Sequence, residues 1–140
     1  TLDAFWSANM GLTDATPRLN LYDQQWPILT HQGQLPSAKF IRDVKALDSI
    51  VSGDCIISGA TLERSVLSSS VKVHSRAGVQ ESVLFPEVDI GRDCRINRAI
   101  LDRGCQIPVG TVIGEDPEED ARRFRLTLGG VTVVTREMLQ

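Results

Sequence analysis

Apolar residues recur through the middle of the chain at Val51, Ile57, Leu62, Leu67, Val73, Val79, Leu84, Ile90, Ile96, Leu101, Ile107 and Ile113. Every step is five or six residues, an interval at which a 3.6-residue helix cannot keep one face. A step of six fits a strand of about four residues followed by a two-residue corner. A longer period lies on top of it. Ser65-Val66-Leu67, Ser82-Val83-Leu84 and Ala99-Ile100-Leu101 are near-copies at intervals of 17, with Ser49-Ile50-Val51 standing 16 before the first. Three short steps make one such interval, so the larger repeat is one turn of a three-sided coil. Self-similarity of this kind marks a stacked repeat architecture. Hexapeptide steps point to an all-β fold, a parallel β-helix. An ordinary sandwich of short strands does not predict the 17-residue copy.

In such a coil each face sends one aliphatic side chain into a narrow interior. Small residues often follow the ladder position (Ser52, Ser58, Ser68, Gly91) or come four after it (Cys55, Thr61, Val71, Ala77, Cys94, Cys105, Thr111). Both sets suit corners where bulk is not tolerated. The phase is open by one residue at Leu84/Phe85 and around Leu62. Aromatics make up only 5% of the chain, and between Ile41 and Arg123 the sole one is Phe85. That scarcity is what a thin aliphatic interior requires.

The ends read differently. Leu2 to Met10 is predicted as a short amphipathic helix with Leu2, Phe5, Trp6 and Met10 on one side and Gly11 as its stop. Pro17, Pro27, Gly33 and Pro36 punctuate a loop-rich stretch, with the linker placed at Leu12 to Gln34 and the first strand at Lys39-Phe40-Ile41. Residues 1–37 are therefore read as helix plus linker, and 38–140 as the coil with its C-terminal cap. Trp6 and Trp26 are expected to pack on the end of the coil, the alternative being docking onto a second domain. Asp116 is a good N-cap before Pro117, with Glu118, Glu119 and Asp120 in the first turn and Arg122, Arg123 and Arg125 late, an order that complements a helix dipole. Leu126 to Val134 reads as a hairpin over a two-residue Gly129-Gly130 turn, placed to cover the open last coil.

Composition narrows the function classes. The 140 residues suit one domain, are 41% hydrophobic and carry a formal net charge of −3, which argues against a general nucleic-acid binder. No apolar run approaches the roughly 18–20 residues of a membrane span, and no charged, apolar, small-residue secretory pattern opens the chain. The chain opens at Thr1 rather than Met, which we read as a sign that it is a piece of something longer. Cys55, Cys94 and Cys105 are odd in number and lack CxxC spacing, so they are expected as reduced, buried thiols of a cytoplasmic protein. Two histidines, His31 and His74, cannot make a three-histidine zinc site, and there is no glycine-rich phosphate loop. His74 is the one candidate general base, against the plainer reading of a surface histidine. Arginine stands out: twelve of fifteen basic residues, four of them (Arg92, Arg95, Arg98, Arg103) within twelve positions. Arg grips phosphate through paired hydrogen bonds. Stacking coils could bring Arg76, Arg92 and Arg103 together as an anion site for a phosphorylated metabolite, the plainer reading being outward, solubilising side chains.

The whole chain resembles the C-terminal part of bacterial glucose-1-phosphate adenylyltransferase, also called ADP-glucose pyrophosphorylase. The resemblance is carried by Thr1-Leu2-Asp3-Ala4-Phe5-Trp6, LNLYDQQWPI (19–28), LPSAKF (35–40), VSGDCIISGA (51–60), ILDRGCQIPVGTVIGEDPEEDARRF (100–124) and VTREML (134–139). It implies that the coil is left-handed, a sense that parallel crossovers do not otherwise favour. It implies an upstream Rossmann-like catalytic domain with a GGxGxRL-type loop, ended just before Thr1, and a homotetrameric enzyme. That enzyme makes ADP-glucose and pyrophosphate from ATP and glucose 1-phosphate with Mg²⁺, in glycogen biosynthesis. By the same resemblance Arg103, in Leu101-Asp102-Arg103-Gly104-Cys105, contacts an allosteric nucleotide phosphate, and Arg136, in Thr135-Arg136-Glu137-Met138-Leu139, contacts a sugar-phosphate activator. Some family members carry a further basic residue where this chain has Gln140, which leaves the activator's identity open.

Two readings follow. One is a regulatory and oligomerisation domain, not catalytic alone, whose partners are a catalytic domain, further subunits and a phosphorylated effector. The other is a stand-alone acyl-CoA-dependent acyltransferase using His74.

Overall fold

A computed structural model describes residues 1–16 and 34–139. The expected linker's Pro17, Tyr22, Trp26, Pro27, His31 and Gly33 lie outside the described residues.

The corners of the coil explain its period. Thirteen residues from Arg42 to Gly110 have positive φ: Arg42, Asp48, Asp54, Gly59, Arg64, Ser70, Arg76, Glu81, Glu87, Asp93, Arg98, Gly104 and Gly110. They are five or six apart, in step with the apolar ladder. Ten are not glycine, and a left-handed turn costs such a residue about 1–2 kcal/mol. From Asp54 onward each is held from the coil before it. Arg76 N–H, for example, donates to Gly59 O (3.0 Å), Asp93 N–H to Ser75 O (3.2 Å) and Gly104 N–H to Pro86 O (3.0 Å). From Asp54 to Gly104 the residue after each turn is buried, and two residues further on comes the ladder residue.

Between corners run fourteen short strands: β1 (Lys39–Ile41), β2 (Lys45–Leu47), β3 (Ile50–Val51), β4 (Ile56–Ser58), β5 (Thr61–Glu63), β6 (Val66–Leu67), β7 (Lys72–Val73), β8 (Gly78–Gln80), β9 (Val83–Leu84), β10 (Asp89–Ile90), β11 (Arg95–Asn97), β12 (Ala99–Leu101), β13 (Gln106–Ile107) and β14 (Val112–Ile113). They form three parallel faces: β1-β4-β7-β10-β13, β2-β5-β8-β11-β14 and β3-β6-β9-β12. This is the three-sided β-solenoid that the repeat predicts. Phe40, Ile57, Val73, Ile90 and Ile107 are in register on the first face, and Val66/Leu67, Val83/Leu84 and Ile100/Leu101 on the third. Apart from half-buried Val51, every residue of the expected ladder is at most 3% exposed.

One expected corner residue is corrected. Where the step is five rather than six, the small residue comes three after the ladder position. Ala60 (1% exposed) is therefore inside and Thr61 is exposed. Ser65, Ser82 and Ala99 fill the equivalent places. The two serine hydroxyls are satisfied locally: Ser65 Oγ donates to Glu63 O (2.9 Å) and Ser82 Oγ to Gln80 O (2.7 Å).

The third face is apolar on both sides. Val83 and Ile100 point away from the interior and are buried, with half-buried Val66 beside them, because helix α1 (Leu2–Leu12) lies over them. Trp6 and Met10 pack on that row, and Phe5 meets Phe85 edge-on (5.9 Å between centroids). Trp6 also donates its Nε1–H to Glu81 O (2.7 Å) and carries the Arg98 guanidinium over its ring. Trp6 thus packs against the flank of the coil, not its end. α1 starts at Thr1, whose hydroxyl accepts from Ala4 N–H, and runs through Gly11. Its cap is Thr13, whose hydroxyl donates to Met10 O (2.7 Å). Gly11 is therefore not the stop.

After β14, Asp116 caps helix α2 (Pro117–Arg123), its carboxylate accepting from the N–H groups of Glu118 and Glu119 as the charge order predicts. Arg125 lies beyond the helix in β15 (Arg125–Leu126), antiparallel to β16 (Thr132–Val134). The turn is wider than two residues: Thr127 N–H donates to Val131 O (2.9 Å) around Leu128-Gly129-Gly130. β16 extends the third face in parallel with β12. The Asp3 carboxylate accepts from Thr127 Oγ and Gly129 N–H, which ties α1 to this hairpin. Phe124, Val134 and Leu139 close the C-terminal end of the core, whereas Phe40, at the other end, is 51% exposed.

Candidate functional site

The two arginines singled out by motif meet at one corner of the solenoid. Leu101 is in register with Val134, so Arg103 and Arg136, each two residues further on, leave adjacent coils at equivalent positions. Neighbouring strands are about 4.8 Å apart, which sets the stacking distance of the two main chains. The corner is locally determined. Asp102 N–H donates to Val134 O (2.9 Å), Arg103 N–H to Asp102 Oδ1 (2.8 Å), and Gly104 turns the chain at φ +72°. Arg136 opens a 3₁₀ turn (Arg136–Leu139) closed by Met138 N–H donating to Thr135 O (3.2 Å).

Beside this corner lies a recess of about 290 Å³ lined by Gly104, Gln106, Arg136 and Leu139. The Arg136 side chain runs over Gly104: a Cβ there would stand 3.4 Å from Arg136 Cδ. Arg103 does not line the recess; it stands exposed at the rim of the same corner. Below lies Cys105, its thiol pushed up to about 11 by burial and by the negative charge of Asp102. The Glu137 carboxyl is held below its ordinary range by its own N–H and the Thr135 hydroxyl. Gly104, Gln106 and Leu139 were not among the expected site residues. The signal in Arg103-Gly104-Cys105-Gln106 is a glycine immediately after the expected phosphate arginine.

The expected convergence of Arg76, Arg92 and Arg103 does not occur. Arg76 and Arg92 leave the corner between the first and second faces, Arg103 that between the third and first. Most arginines have local partners instead. Arg76 holds Asp93 through two hydrogen bonds (2.6 and 3.1 Å), which keeps that carboxyl below its usual range. Arg64 pairs with Glu81, Arg95 with Glu115, and Arg123 Nη2 donates to Val112 O. His74 faces outward on the first face with Nε2 2.8 Å from Asp89 Oδ1, both side chains well exposed. Cys55, Cys94 and Cys105 are free and fully buried, the thiols of Cys55 and Cys94 lying against carbonyls of Ser68 and Pro108. They are the small buried groups the sequence suggests.

Comparison with known proteins agrees with the coil. The family described as GlmU-like, C-terminal hexapeptide, matches residues 36–134. The chain belongs to this family. It is also similar over nearly all its length to glucose-1-phosphate adenylyltransferases. It is 54% identical over 144 residues to that of Dechloromonas aromatica, covering 99% of this chain and 33% of the relative. It is 57% identical to glucose-1-phosphate adenylyltransferase 2 of Pseudoalteromonas atlantica and 56% identical to the Nitrosococcus oceani protein, covering 99% of this chain and 34% of each relative. The chain spans about a third of the length of these curated relatives. No described helix is long and apolar enough to cross a membrane.

Proposed function

We propose that this hexapeptide-family chain is the C-terminal regulatory and oligomerisation domain of a glucose-1-phosphate adenylyltransferase. On this reading the complete enzyme, a cytoplasmic homotetramer, makes ADP-glucose and pyrophosphate from ATP and glucose 1-phosphate for glycogen biosynthesis. The observation that carries the proposal is the match of 99% of this chain, at more than half identity, to about one third of such enzymes. The domain's own contribution is binding. Arg103 and Arg136, stacked at one corner, offer two permanent positive charges with fork geometry to a phosphorylated effector. The Mg²⁺ of the reaction belongs outside this chain on this reading. Among the described residues no three His, Cys, Asp or Glu side chains converge as metal ligands.

The acyltransferase alternative is not favoured. Its general base, His74, is paired with Asp89 on an open, solvated face, and the near-full-length likeness is to nucleotidyltransferases. Incubated with ATP, glucose 1-phosphate and Mg²⁺, the 140-residue chain is expected to form no ADP-glucose. With radiolabelled acetyl-CoA it is expected to bind and transfer nothing. Acyl transfer by this chain would overturn the proposal.

A further inference from the structure

The recess beside Arg136 holds more donors than its arginine. β13 is the edge strand of the first face. One coil earlier Asp89 stands in register with Gln106, and its N–H donates to Cys105 O on the next coil (2.9 Å). The same register turns the Gln106 N–H toward the end of the sheet, where no further strand follows among the described residues. The next donor position along the edge is silent. His74 and Gly91 donate from it to Ile90 O and Ile107 O, but its occupant in the β13 coil is Pro108, which has no N–H. Proline here also blunts the edge against pairing with another chain. The edge is thus closed at Pro108, and among the described residues no acceptor takes the Gln106 N–H, although the 3₁₀ turn packs beside it; the exposed Gln106 side chain lines the recess with Gly104, Arg136 and Leu139.

We infer that Gln106 is a specificity-determining residue of an anion subsite in this recess, an inference that rests on the regulatory reading above. Arg136 supplies the charge. The main-chain N–H and carboxamide of Gln106 supply neutral donors to the terminal phosphate of a small phosphorylated metabolite, and Leu139 forms an apolar wall. Gly104 is the positioning residue, because it leaves room for the Arg136 stem to lie flat. At about 290 Å³ the recess is at the lower limit of small-ligand clefts, about 300–1,000 Å³, so it takes one phosphoryl group and a compact body. A carboxamide donates to phosphate, whereas an ionised carboxylate only accepts and repels.

The test is calorimetric titration of the 140-residue chain with inorganic phosphate and with a hexose monophosphate, for wild type, Arg136→Ala, Gln106→Ala and Gln106→Glu. Circular dichroism confirms that each variant is folded. The inference expects hexose-phosphate affinity to fall about tenfold or more in Gln106→Glu, the scale of a hydrogen bond to a charged group, and less in Gln106→Ala, which keeps the main-chain donor. Loss of binding in Arg136→Ala with both Gln106 variants within twofold of wild type overturns the role of Gln106 and leaves the regulatory reading standing. Absence of binding to the wild-type chain overturns both.

Discussion

Gly114→Ala is expected to lower the melting temperature of the chain by about 10 °C or more, at about 3 °C per kcal/mol for a chain of this size. Gly114 has φ +89°, and a Cβ built on it would lie 1.8 Å from the carbonyl oxygen of Asn97. Both objects are backbone, so neither can swing away. The left-handed conformation costs alanine about 1–2 kcal/mol, and forcing the two coils apart adds a further 1–3 kcal/mol or more. The displacement also breaks the hydrogen bond from Gly114 N–H to Asp120 Oδ2 (2.9 Å), which joins the last coil to the first turn of α2. Gly110→Ala is the control. Its φ is +77° but nothing lies within 4 Å of its Cβ, so it is expected to lose only the conformational part, about 3–6 °C. Thermal unfolding of the two variants side by side separates close approach from backbone strain; equal shifts would show that the clash with Asn97 is relieved at no cost.

Leu84→Ala is expected to destabilise the chain by about 2–5 kcal/mol, the range for deleting a buried leucine side chain. Leu84 is fully buried in the middle of the third face, with Leu67 in register on one side and Leu101 on the other. Those neighbours are fixed by their own strands, so the space left cannot collapse. In a repeat protein each coil is stabilised by its interfaces with the coils on both sides, so loss at a central coil weakens two interfaces. Phe40→Ala, at the open end of the first face where the ring is 51% exposed, is expected to cost less than half as much. Denaturant unfolding of both variants checks the order, and a larger loss at Phe40 would contradict it.

How much of this was legible depended on what each feature obeys. The ladder from Val51 to Ile113 could be read because the interior accepts one aliphatic side chain per face and nothing else. The buried residues beside the corners, such as Cys55, Ala77 and Cys94, could be read too, but the left-handed residues themselves could not, since such turns in this chain are made by Arg42, Asp48, Arg64, Glu81 and Arg98 as readily as by Gly59. From Asp54 onward the fixing agent is a hydrogen bond to the coil before, not a residue preference. Thr61 was misplaced for a related reason: a five-residue step moves the inward position by one. The role of Val66, Val83 and Ile100 was hidden inside a visible copy, because an outward valine signifies nothing until α1 covers it. The expected convergence of Arg76, Arg92 and Arg103 fails because the first two and the third leave different corners, and Arg76 is taken by a partner one coil on. Arg76–Asp93 and Arg64–Glu81 are each 17 residues apart, which no local window reveals. Arg103 and Arg136 came from motif likeness. The structure adds that they share a corner, that only Arg136 lines the recess, and that Gly104 and Gln106 shape it.

The proposed regulation of a nucleotidyltransferase by this chain can be measured in a chimera in which the matching third of the Dechloromonas aromatica relative is replaced by this chain. ADP-glucose formation is then assayed with and without added hexose phosphates, for the chimera and for its Arg136→Ala variant. The account predicts that the chimera forms ADP-glucose and responds to a phosphorylated effector. It also predicts that Arg136→Ala raises the half-effective concentration about tenfold or more, as expected for loss of a charge-assisted hydrogen bond to phosphate. A chimera that forms ADP-glucose but ignores every phosphorylated effector, or responds equally with and without Arg136, would contradict it.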